Sequence, residues 1–337
     1  MSRMTGRLDI VATALDALHH GAGSEGNTQL LRTQEVILED GSQARVPFIS
    51  GNSLKHMIRD GAVRFALDAM QVEDHSLSKA VVDLLFSGGH LAKGSQSVRI
   101  ATARELAVLF PALSICGYSA GNTMVASKLR VDNLHLVCHE NAARLPAGLS
   151  ATPHARIRAG GYRSEEFGTR HDAARLPHVD RVLALEDRDR SDASKGRTKD
   201  VKAPGKDADS AQMIYDFQTL KAGSVLWGGV GYEDLTHPEL VAFRSGLSYA
   251  CEGRHADGGY IFPVGAKRSI GWGRVSMVIK GTMRRAVDAP VYEPSSAALP
   301  TTARADVDHE HDGELAEYVA TLYAQRADIL AALEAVA

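Results

Sequence analysis

The chain has 337 residues and a formal net charge of −3, from 38 Lys and Arg against 41 Asp and Glu. That balance excludes a polycation that coats nucleic acid by bulk charge, and it leaves room for a local basic groove. A hydrophobic content of 44% supplies a core and excludes global disorder, and the length suits two domains or one domain with long insertions.

Leu8–Leu18 mixes apolar and polar residues over a strand's length and is predicted as a central β-strand. A Gly-rich turn, Gly21–Gly26, follows. Leu30–Leu38 and Val46–Ile49 read as a hairpin across Asp40-Gly41. From Asn52 the period changes, and Leu54, Met57, Ile58, Ala62, Phe65 and Ala69 fall on one helical face. Further helices are expected over Lys79–Phe86 and Ala103–Leu113, then a turn at Gly117–Asn122. Lys128–Cys138 alternates like a half-buried strand. Between His154 and Lys206 the chain turns polar, with 13 Lys and Arg and 9 Asp and Glu. Such charge density argues against an independent core there. Strand pattern returns at Val225–Gly231. A helix over Pro238–Tyr249 has Thr236 as its N-cap. Short strands are expected at Tyr260–Val264 and Arg274–Lys280, an extended linker at Asp288–Asp312, and a last helix at Leu315–Leu333. The main elements run strand, helix, strand, insertion, strand, helix, strand. This is the βαββαβ plan of the α+β ferredoxin-like fold, shared with RNA-recognition modules.

No apolar run approaches the roughly 18 residues of a membrane span, and Met1–Thr5 leads into strand-like sequence without an apolar leader. A cytoplasmic protein with no membrane contact is expected. Cys116, Cys138 and Cys251 form no CxxC pair, so they read as packed thiols and not as a disulfide frame or zinc site.

Four segments bear on chemistry. Gly21–Gly26 contains G-x-G-x-x-G after a strand. No helix is expected to open there, so a dinucleotide site is disfavoured and a turn whose backbone can approach a ligand is preferred. Adjacent His19 and His20 point opposite ways on a strand and read as structural or solvated. Ile49–Arg59 (ISGNSLKHMIR) caps a helix whose free N–H groups suit a phosphate, with Lys55 and Arg59 on one face at i,i+4. On physics alone a capped helix with two solvated charges is the plainer reading. Val264–Arg274 (VGAKRSIGWGR) lets a glycine backbone bend around a polyanion, with Lys267, Arg268 and Arg274 supplying charge. Its plainer reading is a Gly-rich hairpin, with Trp272 closing the core. The insertion favours arginine over lysine, which suits bidentate phosphate contact; without a partner it reads as a solvated loop. HExxH, P-loop, GxSxG and clustered nuclease carboxylates are lacking. His309–Asp312 reads as an acidic solvated turn, and no metal or cofactor is expected.

In this order — Gly-rich turn, ISGNSLKHMIR helix start, CGYSAGNTMVASKLRVDNLHL, polar insertion, GAKRSIGWGRV — the chain resembles the RAMP superfamily of CRISPR proteins. Within it the resemblance is to the Cas-seven-like backbone subunits, most of all the type IV member, and it spans roughly Leu8 to Lys280. Ile49–Arg59 is similar to the family's I-P-G-S-S-L-K-G-x-x-R, with Ser50 for Pro, Asn52 for Ser and His56 for Gly. The resemblance implies a ferredoxin-like palm over residues 1–154 and 211–285, with a helical insertion at about 73–127. It further implies a thumb at 155–210, a linker at 286–312 and a C-terminal helix at 313–337. It implies a subunit that polymerises along guide RNA in a helical filament with other effector subunits and presents the guide for pairing with target DNA or RNA. Asn52, Ser53, Lys55, His56 and Arg59 would hold the guide backbone. Ser119, Gly121 and Asn122 would line the same groove. Gly265, Lys267 and Arg268 would act from the glycine loop, and Arg163 and Arg170 from the thumb. Type III relatives that cut target RNA carry an Asp between the first strand and first helix. Gln34 or Thr33 stands there in this chain, beside Glu35, so a non-catalytic subunit is expected. The alternative is a target-RNA-cleaving endoribonuclease subunit using Glu35. A nucleotide-dependent enzyme would rest on Gly21–Gly26 alone.

Charge is also divided along the chain. Residues 286–337 hold 10 acidic and 2 basic residues, a net of −8, so residues 1–285 carry +5.

Overall fold

The computed structural model describes residues 3–89, 100–121, 123–170, 213–285 and 312–337. Two-residue alternation sets the first element. In β1 (Met4–Ala14) Leu8, Ile10, Ala12 and Ala14 are buried, while Asp9 and Val11 face the other way. Two hairpins follow, β2 (Gly21–Glu25) with β3 (Thr28–Leu31) and β4 (Thr33–Ile37) with β5 (Gln43–Ile49). Helices α1 (Gly51–Ala69), α2 (Lys79–Ser87), α3 (Ile100–Leu109) and α4 (Pro111–Cys116) come next. A small hairpin pairs β6 (Tyr118–Ala120) with β7 (Thr123–Val125), and β8 (Leu129–Val131) and β9 (Leu134–Leu136) return to the main sheet. Turns at His139–Arg144, Pro153–Arg156 and Ala159–Tyr162 surround a short α5 (Ala147–Ser150). Beyond them lie β10 (Arg163–Arg170), β11 (Met213–Leu220), β12 (Val225–Leu235), α6 (His237–Ala250), β13 (Gly253–Arg254), β14 (Tyr260–Pro263) and β15 (Arg274–Arg285). The chain ends in α7 (Asp312–Ala324) and α8 (Arg326–Val336).

The main sheet runs β13-β14-β15-β1-β12-β9-β5-β4, with β8 also on β12. Its pairings are antiparallel. Its centre, β15-β1-β12-β9, has α1 after β1 and α6 after β12. That is the ferredoxin-like βαββαβ order, so the expected α+β class holds. A second sheet, β10-β11-β3-β2, joins the base of the polar insertion to the Gly-rich hairpin. The insertion beyond Arg170 and the 286–311 stretch, including His309-Glu310-His311, lie outside the described residues.

Helices α1 and α6 cover one face of the main sheet. Leu54, Ile58, Ala62 and Ala66 recur on α1 at four-residue spacing and are buried with Leu240, Phe243 and Leu247 of α6. The crossing is close enough that a Cβ on Gly61 would stand 2.1 Å from the Gly246 carbonyl oxygen. Helix α6 opens with a capping box: Thr236 accepts from the Glu239 N–H and Glu239 accepts from the Thr236 N–H. Burial works to raise the Glu239 pKa. Hydrogen bonds from Lys128, Ser114 and Thr236 outweigh it and hold the carboxyl below its ordinary value.

The expected elements shift in four places, each with a local cause. Gly21–Gly26 is a strand and turn and not a turn alone, and Gly23 and Gly26 take the positive φ values of 108° and 60°. No helix opens there, which removes the dinucleotide reading. Lys128–Cys138 splits into β8 and β9, because Asp132 and Asn133 leave the ladder: Asp132 takes Arg7, and Asn133 takes the start of α1. The 103–113 helix breaks before Pro111, which has no N–H to continue the ladder. The last helix breaks at Gln325.

Among the described residues no helix is long and apolar enough to cross a membrane. Cys116 and Cys138 are buried free thiols and Cys251 is half-buried.

Candidate nucleic-acid interface

The sequence-defined motifs converge at the end of β1. His20 Nε2 accepts from the Ser50 N–H at 3.2 Å, tying the His-His pair to the cap of α1. The Ala266 N–H donates to the His19 carbonyl at 2.9 Å, tying in the glycine loop. Burial, then Arg32 and His19, lower the His20 pKa to about 4, so the ring is neutral and accepts at neutral pH. His19 is buried, with Nδ1 2.8 Å from the Gln218 carbonyl of β11. His19 is buried and His20 half-buried, and both act as connectors.

Helix α1 begins against the sheet. Ser50 Oγ accepts from the Ser53 N–H, and Asn133 Oδ1 accepts from the Gly51 N–H at 2.9 Å. Gly51 is required by this approach, since a Cβ there would stand 2.2 Å from the Val131 carbonyl and 2.9 Å from that of Asp132. Those are backbone atoms and cannot swing away. Gly51→Ala is therefore expected to cost about 2 kcal/mol, as overpacking does. Chemical denaturation would read that loss, and a change under about 0.5 kcal/mol would refute the close approach.

Asn52 and His56 are exposed, and Ser53 and Lys55 are half-buried. Burial and the neighbouring Arg59 push the Lys55 pKa down, and among the described residues no carboxylate pairs with it. A half-buried ammonium beside a guanidinium, one turn from a helix N-terminus, is stabilised by an incoming anion.

Arg59 departs from the expected role. It is 9% exposed, and its Nη2 donates to the carbonyls of Cys116 at 3.1 Å and Gly117 at 2.7 Å. It is spent on the backbone entering β6, so it positions the 117–121 loop and does not present its charge to a ligand. The Ser119 N–H donates to the Gly88 carbonyl at 2.8 Å, which sets Ser119 against the C-terminal end of α2. Asn122 lies outside the described residues.

In the glycine loop, Gly265 and Gly273 have φ of 82° and 84°. A Cβ at Gly265 would meet the His19 carbonyl oxygen at 2.5 Å. Lys267 and Arg268 are exposed, and Lys267 Nζ sits 4.5 Å from the centre of the Phe217 ring. Trp272 packs edge-on to the same ring at 5.5 Å. Phe217 belongs to β11, so the base of the insertion touches this loop directly. Arg163 donates to the Arg45 carbonyl at 2.8 Å, which ties its guanidinium to the β4–β5 hairpin. Arg170 is the last residue of β10.

The linking roles of His20, Asn133 and Phe217 were not visible in the sequence. Each acts through a partner more than 25 positions away, and no spacing rule reaches that far. Glu35 and Gln34 also separate. Glu35 is exposed and pairs with Arg45 at 3.4 Å. Gln34 Nε2 bonds His135 Nδ1 at 2.9 Å.

Fold and site together define an α+β ferredoxin-like protein with an anion-receptive helix start, flanked by a basic glycine loop. Residues 7–83 match a family model described as DevR, CRISPR-associated negative auto-regulator DevR/Csa2. That segment holds β1 through the start of α2, and the match bears out the CRISPR-associated RAMP resemblance. No curated protein matches. Among solved structures, a chain described as a Type IV-B CRISPR complex is 16% identical with a TM-score of 0.48, covering 89% of this chain and 100% of that one. A chain described as Csc2 of Thermofilum pendens is 12% identical with a TM-score of 0.37, covering 98% of this chain and 86% of that one.

Proposed function

We propose that the protein is a non-catalytic backbone subunit that oligomerises along CRISPR guide RNA in a type IV-like effector complex. The observation that carries this reading is the half-buried Lys55 at the start of α1, with no carboxylate partner among the described residues. The family match over residues 7–83 supports the context. On this reading residues 155–210 are a thumb reaching over a neighbouring copy, and the palm presents the guide for pairing with target nucleic acid. The positive balance of residues 1–285 then belongs to the RNA-bearing body, and the negative balance to residues 286–337.

The test is purification of the full chain beside a guide transcript. RNA of guide length should co-purify with an oligomer, and binding should weaken steeply with salt. A nucleic-acid-free monomer that ignores single-stranded RNA would sink the proposal.

The absence of catalysis is argued from the two candidate positions. Gln34 has no ionisable group for acid-base or metal chemistry, and its amide is engaged by His135. Glu35 is engaged by Arg45 on the exposed hairpin. Target-RNA cleavage by the assembled complex should be undetectable, with Glu35→Ala making no difference. Metal-dependent cuts lost in that variant would make it a ribonuclease instead.

A further inference from the structure

The face of the main sheet opposite α1 and α6 carries a row of side chains in register across five strands. Phe48 of β5 pairs with His135 of β9, His135 with Trp227 of β12, Trp227 with Val11 of β1, and Val11 with Val278 of β15. Alternation puts all five on one face. None of them is fully buried. Beside its middle members, His135 and Trp227, lies a cavity of about 210 Å³ lined by His135, Asn141, Arg144, Leu145 and Trp227. That volume lies below the range of whole small-molecule sites, so it suits one ring of a larger ligand.

Its chemistry is specific. Trp227 supplies an aromatic wall whose inner side rests on Val137, Leu145 and Ala155. Arg144 is exposed, and its Nη2 lies 3.2 Å from His135 Nδ1. Gln34 Nε2 approaches the same nitrogen at 2.9 Å, and a guanidinium only donates, so Nδ1 is the acceptor that both donors share and the ring proton sits on Nε2. Asn141 is fully buried, with Nδ2 donating to the Leu136 carbonyl and Oδ1 without a partner among the described residues. An indole, an exposed guanidinium and unspent donor and acceptor groups together fit a base with its adjoining phosphate. Arg156 and Arg158 are exposed in the turns that follow in the chain.

We propose that this cavity is a base subsite, taking one nucleobase of single-stranded RNA against the Trp227 indole with Arg144 on the neighbouring phosphate. It rests on the RNA-binding reading above, and it adds a second region, across the sheet from α1, that the motifs did not mark.

The full chain, stripped of nucleic acid in high salt, is titrated with a 12-nucleotide oligoadenylate while tryptophan emission is followed. Inorganic polyphosphate of similar charge serves as the backbone-only probe. Oligoadenylate should quench emission saturably and polyphosphate should not. The Trp227 share of the oligoadenylate quench should be lost in Trp227→Phe, which retains the aromatic packing, and the quench that remains in that variant should match what adding Trp272→Phe to it removes. Trp227→Ala should weaken oligoadenylate binding about tenfold with its salt dependence unchanged, because stacking is lost and no charge is removed. Arg144→Ala should instead flatten the salt dependence by about one phosphate contact. Steep, salt-sensitive binding with an unmoved emission and a Trp227→Ala variant that binds oligoadenylate as tightly as the unaltered chain would overturn the base subsite while the RNA-binding reading stands. Failure of any RNA to bind would overturn both.

Discussion

Arg59→Met should destabilise the protein by about 3 kcal/mol while leaving the salt dependence of RNA binding unchanged. Its guanidinium, 9% exposed, donates to the carbonyls of Cys116 and Gly117. Hydrogen bonds to charged groups contribute about 1.5–3 kcal/mol each, and methionine fills the space without replacing either donor. Two buried carbonyls are then left unsatisfied. Gly88 fixes how far the side chain can retreat, since a Cβ there would stand 2.3 Å from Arg59 Nη1. Denaturant titration reads the stability, and RNA binding at several salt concentrations reads the contact. A stable variant with a flattened salt dependence would return Arg59 to the phosphate-binding set. A destabilised variant with unchanged salt dependence would confirm it as the residue that holds the 117–121 loop.

What the sequence could and could not show follows from the same residue. Four-residue spacing placed Lys55 and Arg59 on one helical face, and the fold agrees. The spacing carries no information about what stands opposite that face. One turn separates a half-buried ammonium open to an anion from a buried clamp on the backbone. Alternation likewise located β1 and the hairpin across Asp40-Gly41, because apolar side chains mark the inward face. It could not find β2, where Gly21 and Gly23 carry no side chain to mark a face. The break between β8 and β9 was also hidden, since Asp132 and Asn133 fit an alternating strand until Arg7 and Gly51 claim them from afar. Trp227 was read only as part of a strand. The register across β5, β9, β12 and β1 that gives it a role exists only once the sheet is assembled.

Reversing both anchoring lysines, Lys55→Glu with Lys267→Glu, should weaken RNA binding on the order of 100-fold, about 1.4 kcal/mol for each site. The two act from different elements, α1 and the glycine loop, which His20 and His19 tie to the same segment. Their contributions should therefore be close to additive. Removing two contacts to a single strand should also reduce the magnitude of the salt slope by about 1.4. Stability should change by less than about 1 kcal/mol, because Lys267 is exposed and a carboxylate at position 55 would face the Arg59 charge that now opposes Lys55. Lys267→Glu does forfeit the contact with the Phe217 ring, an exposed cation–aromatic pair of about 0.5–1 kcal/mol. Lys267→Gln separates that loss from the charge reversal and should weaken RNA binding less than the reversal does. If the double variant is instead insoluble while Lys267→Gln binds RNA as tightly as the unaltered chain, these side chains support the fold and the groove lies elsewhere. If it is soluble, monomeric and free of RNA, charge at these two positions is what brings guide and subunit together.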